Sequence, residues 1–402
     1  MKVQLMVIFG GKSVEHEISI ISALQAINHV NKDMYDVIPV YITKEQEMYT
    51  GKDIASIEAY QNLPALLKNS SRVVFAKENG RVYLTDHPSV RTFKKMKKPI
   101  DIAFPIVHGC NVEDGTLQGF LKTLDIPFIG CDVISSAVGM DKHVCKTVLK
   151  DYGIPVLDCL VYTKYDYEQD SSAVMAKIKE TYTYPVIVKP ATLGSSIGIA
   201  KVNNDEELED ALDTAFSFAI KILIEPAVTA LREINCSVVG DIEEAEASEC
   251  EEPLNATTIL SYEDKYMGNS SKNSDAQGMA SLARQIPANI TPEMRSYIRD
   301  LAVKTFKALG CNGVVRIDFL YDTEADKIYV NEINTIPGSL SFYLWEPMGI
   351  PYGKLIDRLV ELSLKRVRDE RGLLSSFDTN VLSLCSSGSL GGAKGSKGKL
   401  KV

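Results

Sequence analysis

The sequence predicts an α/β protein of two or three domains, an open α/β sheet first and smaller α+β units after it. Three observations lead there. At 402 residues the chain can supply two or three cores, at roughly 150 residues per domain. Its 45% apolar and 24% charged residues are ordinary globular values, which exclude a disordered chain, a collagen-like repeat and a coiled coil. Apolar runs closed by glycine or proline alternate with segments of helical period.

Taken in order, Val3 to Phe9 is a continuous apolar run ended by Gly10 and Gly11, and His16 to Val30 then carries Ile20, Ala23, Leu24 and Ile27 at helical spacing. Val37 to Ile42 and Ile102 to Val107 read as further buried strands, and Thr116 to Leu124 as the helix before Pro127-Phe128-Ile129. These make a first domain, 1–132. A second, 133–226, reads helix (Lys142 to Tyr152), strand (Asp158 to Tyr162), helix (Ser171 to Thr181), strand (Val186 to Pro190), a Gly/Ser loop, strand (Gly198 to Val202), helix (Asp205 to Phe218) and strand (Lys221 to Glu225). A third, 227–375, opens with strands at Glu233 to Val239 and Glu243 to Glu249. It continues through a polar stretch, 262–281, of the length and composition of a lid. Then come a helix (Pro292 to Leu309), a hairpin (Val314 to Tyr321, Ile328 to Asn334) and a last helix (Leu355 to Asp369). The Gly/Ser/Lys-rich end, 376–402, reads as a disordered tail.

Charge and cysteine usage narrow the function classes. A formal charge of -9 disfavours a nucleic-acid partner. Eight cysteines without a C-x-x-C pair or dense spacing resemble neither a disulfide framework nor a zinc site, which suits a reducing cytoplasm. No run reaches the about 18 apolar residues of a membrane span.

Four stretches carry chemistry. In GVVRIDFLYDTEADKIYVNEINT, alternation places Arg316 and Asp318 on one strand face and Glu332 and Asn334 on one face of the next. A hairpin centred on Ala325 sets Asp318 opposite Glu332, and facing carboxylates repel unless a cation lies between them. Two carboxylates and an amide oxygen suit Mg²⁺; a solvated polar sheet face is the alternative. In YPVIVKPATLGSSIGIAKV, a strand delivers Lys189 to a loop with Gly194, Ser195, Ser196 and Gly198, which fits a phosphate cradle or a flexible hairpin. FPIVHGCNVEDGTLQGFL ends a buried strand at His108, ahead of Glu113 and Asp114, and IFGGKSVEHEIS sets Glu15 and His16 at a helix start. Two pattern matches fail. Gly194 to Gly198 fits the hydrolase elbow G-x-S-x-G, but all five histidines precede the serine, and Gly11-Lys12-Ser13 lacks the earlier P-loop glycine because Met6 stands there.

In this order GGKSVEHEIS, MDKHVCK, VIVKPATLGSSIGI, ILIEP, DKYM, VVRIDF and EINTIPG make the chain resemble the D-alanine–D-alanine ligase family of ATP-grasp enzymes, from about residue 10 to 338. The resemblance implies three α/β domains, an ATP-grasp fold, ATP with Mg²⁺ or Mn²⁺, often as a pair, and a cytoplasmic homodimer. The implied activity joins D-alanine to D-alanine through an acylphosphate for peptidoglycan precursors. Its rivals are a ligase with D-serine or D-lactate as acceptor and a non-catalytic nucleotide-binding relative. By motif, Lys142, Lys189 and Lys265 would hold ATP phosphates beside Ser195 and Ser196. Glu225 would lie at the adenine and Glu233 at the ribose. Asp318, Glu332 and Asn334 would ligate metal. Glu15, His108 and Ser195 would surround the first D-amino acid, Arg316 and the Gly338 backbone the oxyanion, and Tyr266 the lid. Two positions depart from the family pattern. Val112 stands where glycine is common, and Tyr343 replaces a serine at the acceptor carboxylate, with Ser341 or Tyr343 as its substitute in binding.

Overall fold

The structure is a computed structural model that describes residues 2–88, 96–194, 197–254 and 284–374. Met1–Leu364 form one compact unit built on three sheets. Lys365–Val402 is a separate unit, of which the described part is the end of the last helix and residues 372–374.

The first apolar run is strand β1 (Val3–Gly10), paired in parallel with β2 (Tyr35–Ile42) on one side and β7 (Ile102–Pro105) on the other. A strand flanked on both edges and covered on both faces must be apolar throughout, and Leu5 to Phe9 are completely buried. Between β2 and β7 the sheet grows antiparallel through β3 (Met48–Thr50), β4 (Ser71–Glu78), β5 (Arg81–Asp86) and β6 (Lys97–Pro99), giving the order β6-β5-β4-β3-β2-β1-β7. The sequence reading missed this extension because its strands are short and half exposed, so their apolar signal is thin. Helix α1 (His16–His29) follows β1 through Gly10 and Gly11, with φ +90 and +97. A Cβ on Gly10 would sit 2.3 Å from the Ile42 carbonyl, so the turn requires glycine. After α2 (Leu63–Asn69) in the extension, α3 (Thr116–Thr123) and α4 (Val133–Met140) lead out of the first domain. Phe128 forms only an isolated bridge to Ala103 rather than a strand.

The central sheet is antiparallel, β10-β9-β11-β8, from β8 (Leu160–Thr163), β9 (Val186–Pro190), β10 (Ala200–Val202) and β11 (Lys221–Pro226). Helices α6 (Lys164–Gln169), α7 (Ser171–Thr181) and α8 (Asp205–Phe218) accompany it, and Val174, Ile178, Leu208 and Leu212 share a core with Val186, Val188, Ile222 and Ile224. Helix α5 (Lys142–Asp151) precedes these elements, but Cys145 and Leu149 join the core of the third sheet, so packing assigns α5 there.

The third sheet runs β14-β13-β12-β15-β16, from β12 (Leu231–Gly240), β13 (Ala245–Pro253), β14 (Arg284–Gln285), β15 (Gly313–Asp322) and β16 (Lys327–Asn334). Helix α9 (Pro292–Ala308), capped by Thr291 and started by proline, buries Ile298, Leu301, Ala302 and Phe306 in its core. The chain then turns back through Gly338–Leu344 into α10 (Tyr352–Arg371), and Trp345, Tyr352, Leu355 and Leu359 complete the core of the first sheet. Trp345 Nε1 donates to Ser237 Oγ of β12 at 3.1 Å, tying the two sheets together. Among the described residues no helix is long and apolar enough to cross a membrane, and none of the cysteines forms a disulfide.

Candidate active site

The β15–β16 hairpin aligns Asp318 with Glu332 and Arg316 with Asn334, as the alternation argument requires. The turn itself pairs Asp322 with Lys327 and Phe319 with Val330, a register that would set Asp318 against Asn331. A bulge opposite the Asp318–Phe319 step inserts Asn331 and moves Glu332 into place. The four polar side chains thereby share one face of the sheet. Arg316 grips Asp318 with both edges, Nε to Oδ1 at 2.6 Å and Nη2 to Oδ2 at 2.7 Å, and Asn334 Nδ2 donates to Asp318 Oδ2 at 3.1 Å. Burial still holds the Asp318 carboxyl above its ordinary range, against the pull of Arg316 and with a further push from Glu332.

Three lysines approach this face. Asp141 caps α5, accepting the N–H groups of His143 and Val144, and helical spacing puts Lys142 and Lys146 on one side of it. Lys142 Nζ reaches Glu332 Oε2 at 3.2 Å and the Leu193 carbonyl at 2.7 Å. Lys146 and Lys189 both close on Glu225, at 2.5 and 2.7 Å, in a triad whose side chains are at most 5% exposed. Burial lowers Lys189, opposed by Glu225. The same burial would raise Glu225, but the two ammoniums outweigh it and hold the carboxyl low. Lys189 also donates to Asn331 Oδ1 at 3.2 Å, so the bulged residue links the central sheet to the hairpin.

On the opposite wall Glu15 stands at the start of α1. A Cβ on Gly194 would lie 3.0 Å from Glu15 Oε2, and one on Gly109, at φ +83, 3.1 Å from it. Glycine at both positions lets two loops close on the carboxylate. His108 is buried at the cavity edge, and burial drives its imidazole down to about 4, so it is neutral near pH 7. Its Nε2 meets Ser22 Oγ at 3.1 Å, and that hydroxyl also accepts the Ser339 N–H at 3.0 Å. Glu113 accepts N–H groups from Gly109 and Ile336, both at 2.9 Å. Burial, with repulsion from Glu15, lifts its carboxyl to about 8.

One cavity is lined by Glu15, His108, Lys142 and Glu233 together with Arg316, Asp318, Glu332, Asn334 and Gly338. Lys189 and Glu225 do not line it; Lys189 meets the hairpin through Asn331. The structure does not bring Ser341 or Tyr343 to the wall. Ser341 is completely buried, and Tyr343 packs beneath Arg284 with its hydroxyl 3.4 Å from Glu251. The reason is the turn after Gly338, where Ser339, Leu340 and Ser341 all take left-handed φ of 51 to 52 and redirect the following side chains. Val112 is buried, and its Cγ1 lies 2.5 Å from where a Cβ of Gly11 would stand, so it fills the space against that glycine. Ser195, Ser196, Lys265, Tyr266 and the 262–281 lid lie outside the described residues, as does the tail.

The sequence reading also passed over Lys146, Asn331, Glu251 and Arg284, and noted Glu113 without assigning it a role. Lys146 was accessible as the fourth residue after Lys142 on a helix, whereas the others depend on a bulge and on cross-strand register. Among the described residues no three His, Cys, Asp or Glu side chains gather into a ready metal cage. Two facing carboxylates, now answered by Arg316 and Lys142, and an amide that donates to Asp318 instead fit a hard divalent ion that takes its remaining ligands from phosphate and water.

An open α/β sheet followed by two antiparallel sheets, with Lys142 and the carboxylates of Asp318 and Glu332 in one cavity, is the architecture of the ATP-grasp fold. Two family models match, the D-ala D-ala ligase N-terminus over residues 4–131 and the D-ala D-ala ligase C-terminus over 148–361. A D-alanine--D-alanine ligase of Thermosipho africanus is 40% identical over 94% of this chain and 97% of its own length. The D-alanine-D-alanine ligase structure from Coxiella burnetii superposes with a TM-score of 0.75 at 28% identity, covering 92% of this chain and 96% of that one. The VanG D-Ala:D-Ser ligase of Enterococcus faecalis gives 0.72 at 30% identity, covering 90% and 100%. The chain belongs to the D-alanine–D-alanine ligase family.

Proposed function

We propose that the protein joins D-alanine to D-alanine at the expense of ATP, supplying a peptidoglycan precursor in the cytoplasm as a homodimer. The observation that carries this reading is the facing pair Asp318 and Glu332, with Asn334, in the same cavity as Lys142, Glu15 and His108. Asp318, Glu332 and Asn334 would hold one or two Mg²⁺ or Mn²⁺ ions, which supply charge neutralisation between carboxylates and triphosphate. Lys142 and Lys189 take the phosphates, joined by Lys265 and the 195–196 loop. Glu233 takes the ribose, and Glu225 lies at the adenine end with Lys146 balancing its charge.

The chemistry asked of these residues is positioning and charge. Glu15 and neutral His108 hold the first D-alanine so that its carboxylate oxygen attacks the γ-phosphorus, with ADP leaving and an acylphosphate forming. The amine of the second D-alanine then attacks the carbonyl carbon. Arg316 and the Gly338 N–H face the oxyanion until phosphate departs. Tyr266 and the 262–281 segment would exclude the water that competes with the amine. Purified protein given ATP, Mg²⁺ and D-alanine should yield dipeptide, ADP and phosphate in equal amounts. Added D-serine or D-lactate should not divert the product, and sedimentation should give twice the 44.3 kDa chain mass. ADP release without dipeptide, or a mixed product dominating, would overturn the reading.

A further inference from the structure

A dipeptide-forming acceptor brings a carboxylate of its own, and that charge needs a donor not already committed to the phosphate side of the cleft. Arg316 turns its Nε and Nη2 to Asp318, on the side of the proposed metal ligands. A second arginine, Arg284 at the start of β14, lines the same cavity as Gly338. Several contacts hold it. Its guanidinium carbon lies over the Tyr343 ring, 3.9 Å from the centroid, and its Nη1 donates to Glu251 Oε2 at 2.7 Å. Glu251 is 2% exposed, and its other oxygen accepts from Asn235 Nδ2 at 3.1 Å and the Tyr343 hydroxyl at 3.4 Å. Asn235 and Glu251 are direct cross-strand partners on β12 and β13, so the sheet register fixes the carboxylate that orients the arginine.

We infer that Arg284 is the specificity-determining residue for the acceptor, receiving the carboxylate of the incoming amino acid. Glu251, Asn235 and Tyr343 act as its positioning set. The inference rests on the ligase reading proposed above. A guanidinium stacked on an aromatic ring keeps its plane, and its N–H groups point outward in that plane, the geometry that suits carboxylates. Glu251 balances the arginine's charge. An entering carboxylate then meets a cation whose orientation is already set, which saves the entropy of ordering a long side chain. The departure at position 343 gains a physical reason: where a serine offers one neutral hydroxyl, the tyrosine offers a platform that carries a cation to the same end of the cavity.

Hydroxylamine tests this, because it is an amine acceptor without a carboxylate and converts an acylphosphate to a hydroxamate with release of phosphate. Arg284→Met should form D-alanine hydroxamate from ATP, D-alanine and hydroxylamine at close to the wild-type rate. Its kcat/KM for D-alanine as acceptor should fall by about 10²-fold, the worth of a hydrogen bond to a charged group. Arg284→Lys should recover only part of that loss, because lysine keeps the charge without the planar fork. Loss of both activities in parallel, or retention of both, would overturn the inference. A wild-type enzyme that forms no hydroxamate would overturn the ligase reading itself, a result distinct from either.

Discussion

Glu225→Gln removes the carboxylate that the buried ammoniums of Lys146 and Lys189 share. Both contacts are short, 2.5 and 2.7 Å, and all three side chains are at most 5% exposed, so solvent screens them little. Breaking a buried pair by removing one partner costs ~3–5 kcal/mol, since the remaining charge is left uncompensated. The glutamine still offers one oxygen to one lysine, which keeps the expectation within that range rather than at twice it. Lys146→Met leaves Glu225 paired with Lys189, and here the loss should be only ~1–3 kcal/mol. In the double variant a single lysine remains without its carboxylate, and the combined loss should fall short of the sum by more than ~1 kcal/mol. Urea unfolding at constant m-value measures all four proteins. Losses that add to within ~0.5 kcal/mol would refute the reasoning, since the ammoniums and the carboxylate would then not be coupled.

Asp318→Asn should abolish D-alanine-dependent ADP formation while leaving the fold intact by circular dichroism, since it removes a facing carboxylate and keeps the shape; retention of a tenth or more of the turnover, on the order of the smallest catalytic effects, would argue against a metal role. Ser341→Gly should raise the unfolding free energy by roughly 1–2 kcal/mol, because glycine tolerates φ 51 and the serine hydroxyl is buried without a hydrogen-bond partner, and acceptor KM should not change. His108 has a folded pKa of about 4, below its unfolded value, so the unfolded chain binds the extra proton as pH falls from 6.5 to 4, and stability is lost across that window. The full loss below pH 4 is about 3 kcal/mol. Glu113, raised to about 8, contributes with the opposite sign between pH 8 and 4.5, so the comparison that isolates the histidine is wild type against His108→Gln, whose stability should fall less with acid.

The sequence disclosed most where a pattern had one structural solution. Ser171–Thr181, Val186–Pro190 and Asp205–Phe218 begin and end where the apolar period and the caps place them. Asp318 and Glu332 do face each other, but through a bulge at Asn331 that no spacing rule announces, because a strand with one extra residue reads like any other strand. The antiparallel extension 48–99 escaped detection because half-exposed strands carry little apolar signal. The left-handed turn at 339–341 was equally hidden: serine and leucine give no warning of positive φ, and that turn is what carries Tyr343 away from the cavity and under Arg284. Arg284 is then visible only once Glu251, Asn235 and Tyr343 are assembled from four separate segments.

The central claim is that this cleft activates a carboxylate by phosphorylation. It is tested most directly with D-alanine labelled with ¹⁸O in both carboxylate oxygens. If the carboxylate attacks the γ-phosphate, one labelled oxygen leaves with each phosphate released during dipeptide synthesis, and mass spectrometry of the phosphate should find it. Unlabelled phosphate accompanying labelled dipeptide would contradict the account, because the bond would then have formed without an acylphosphate.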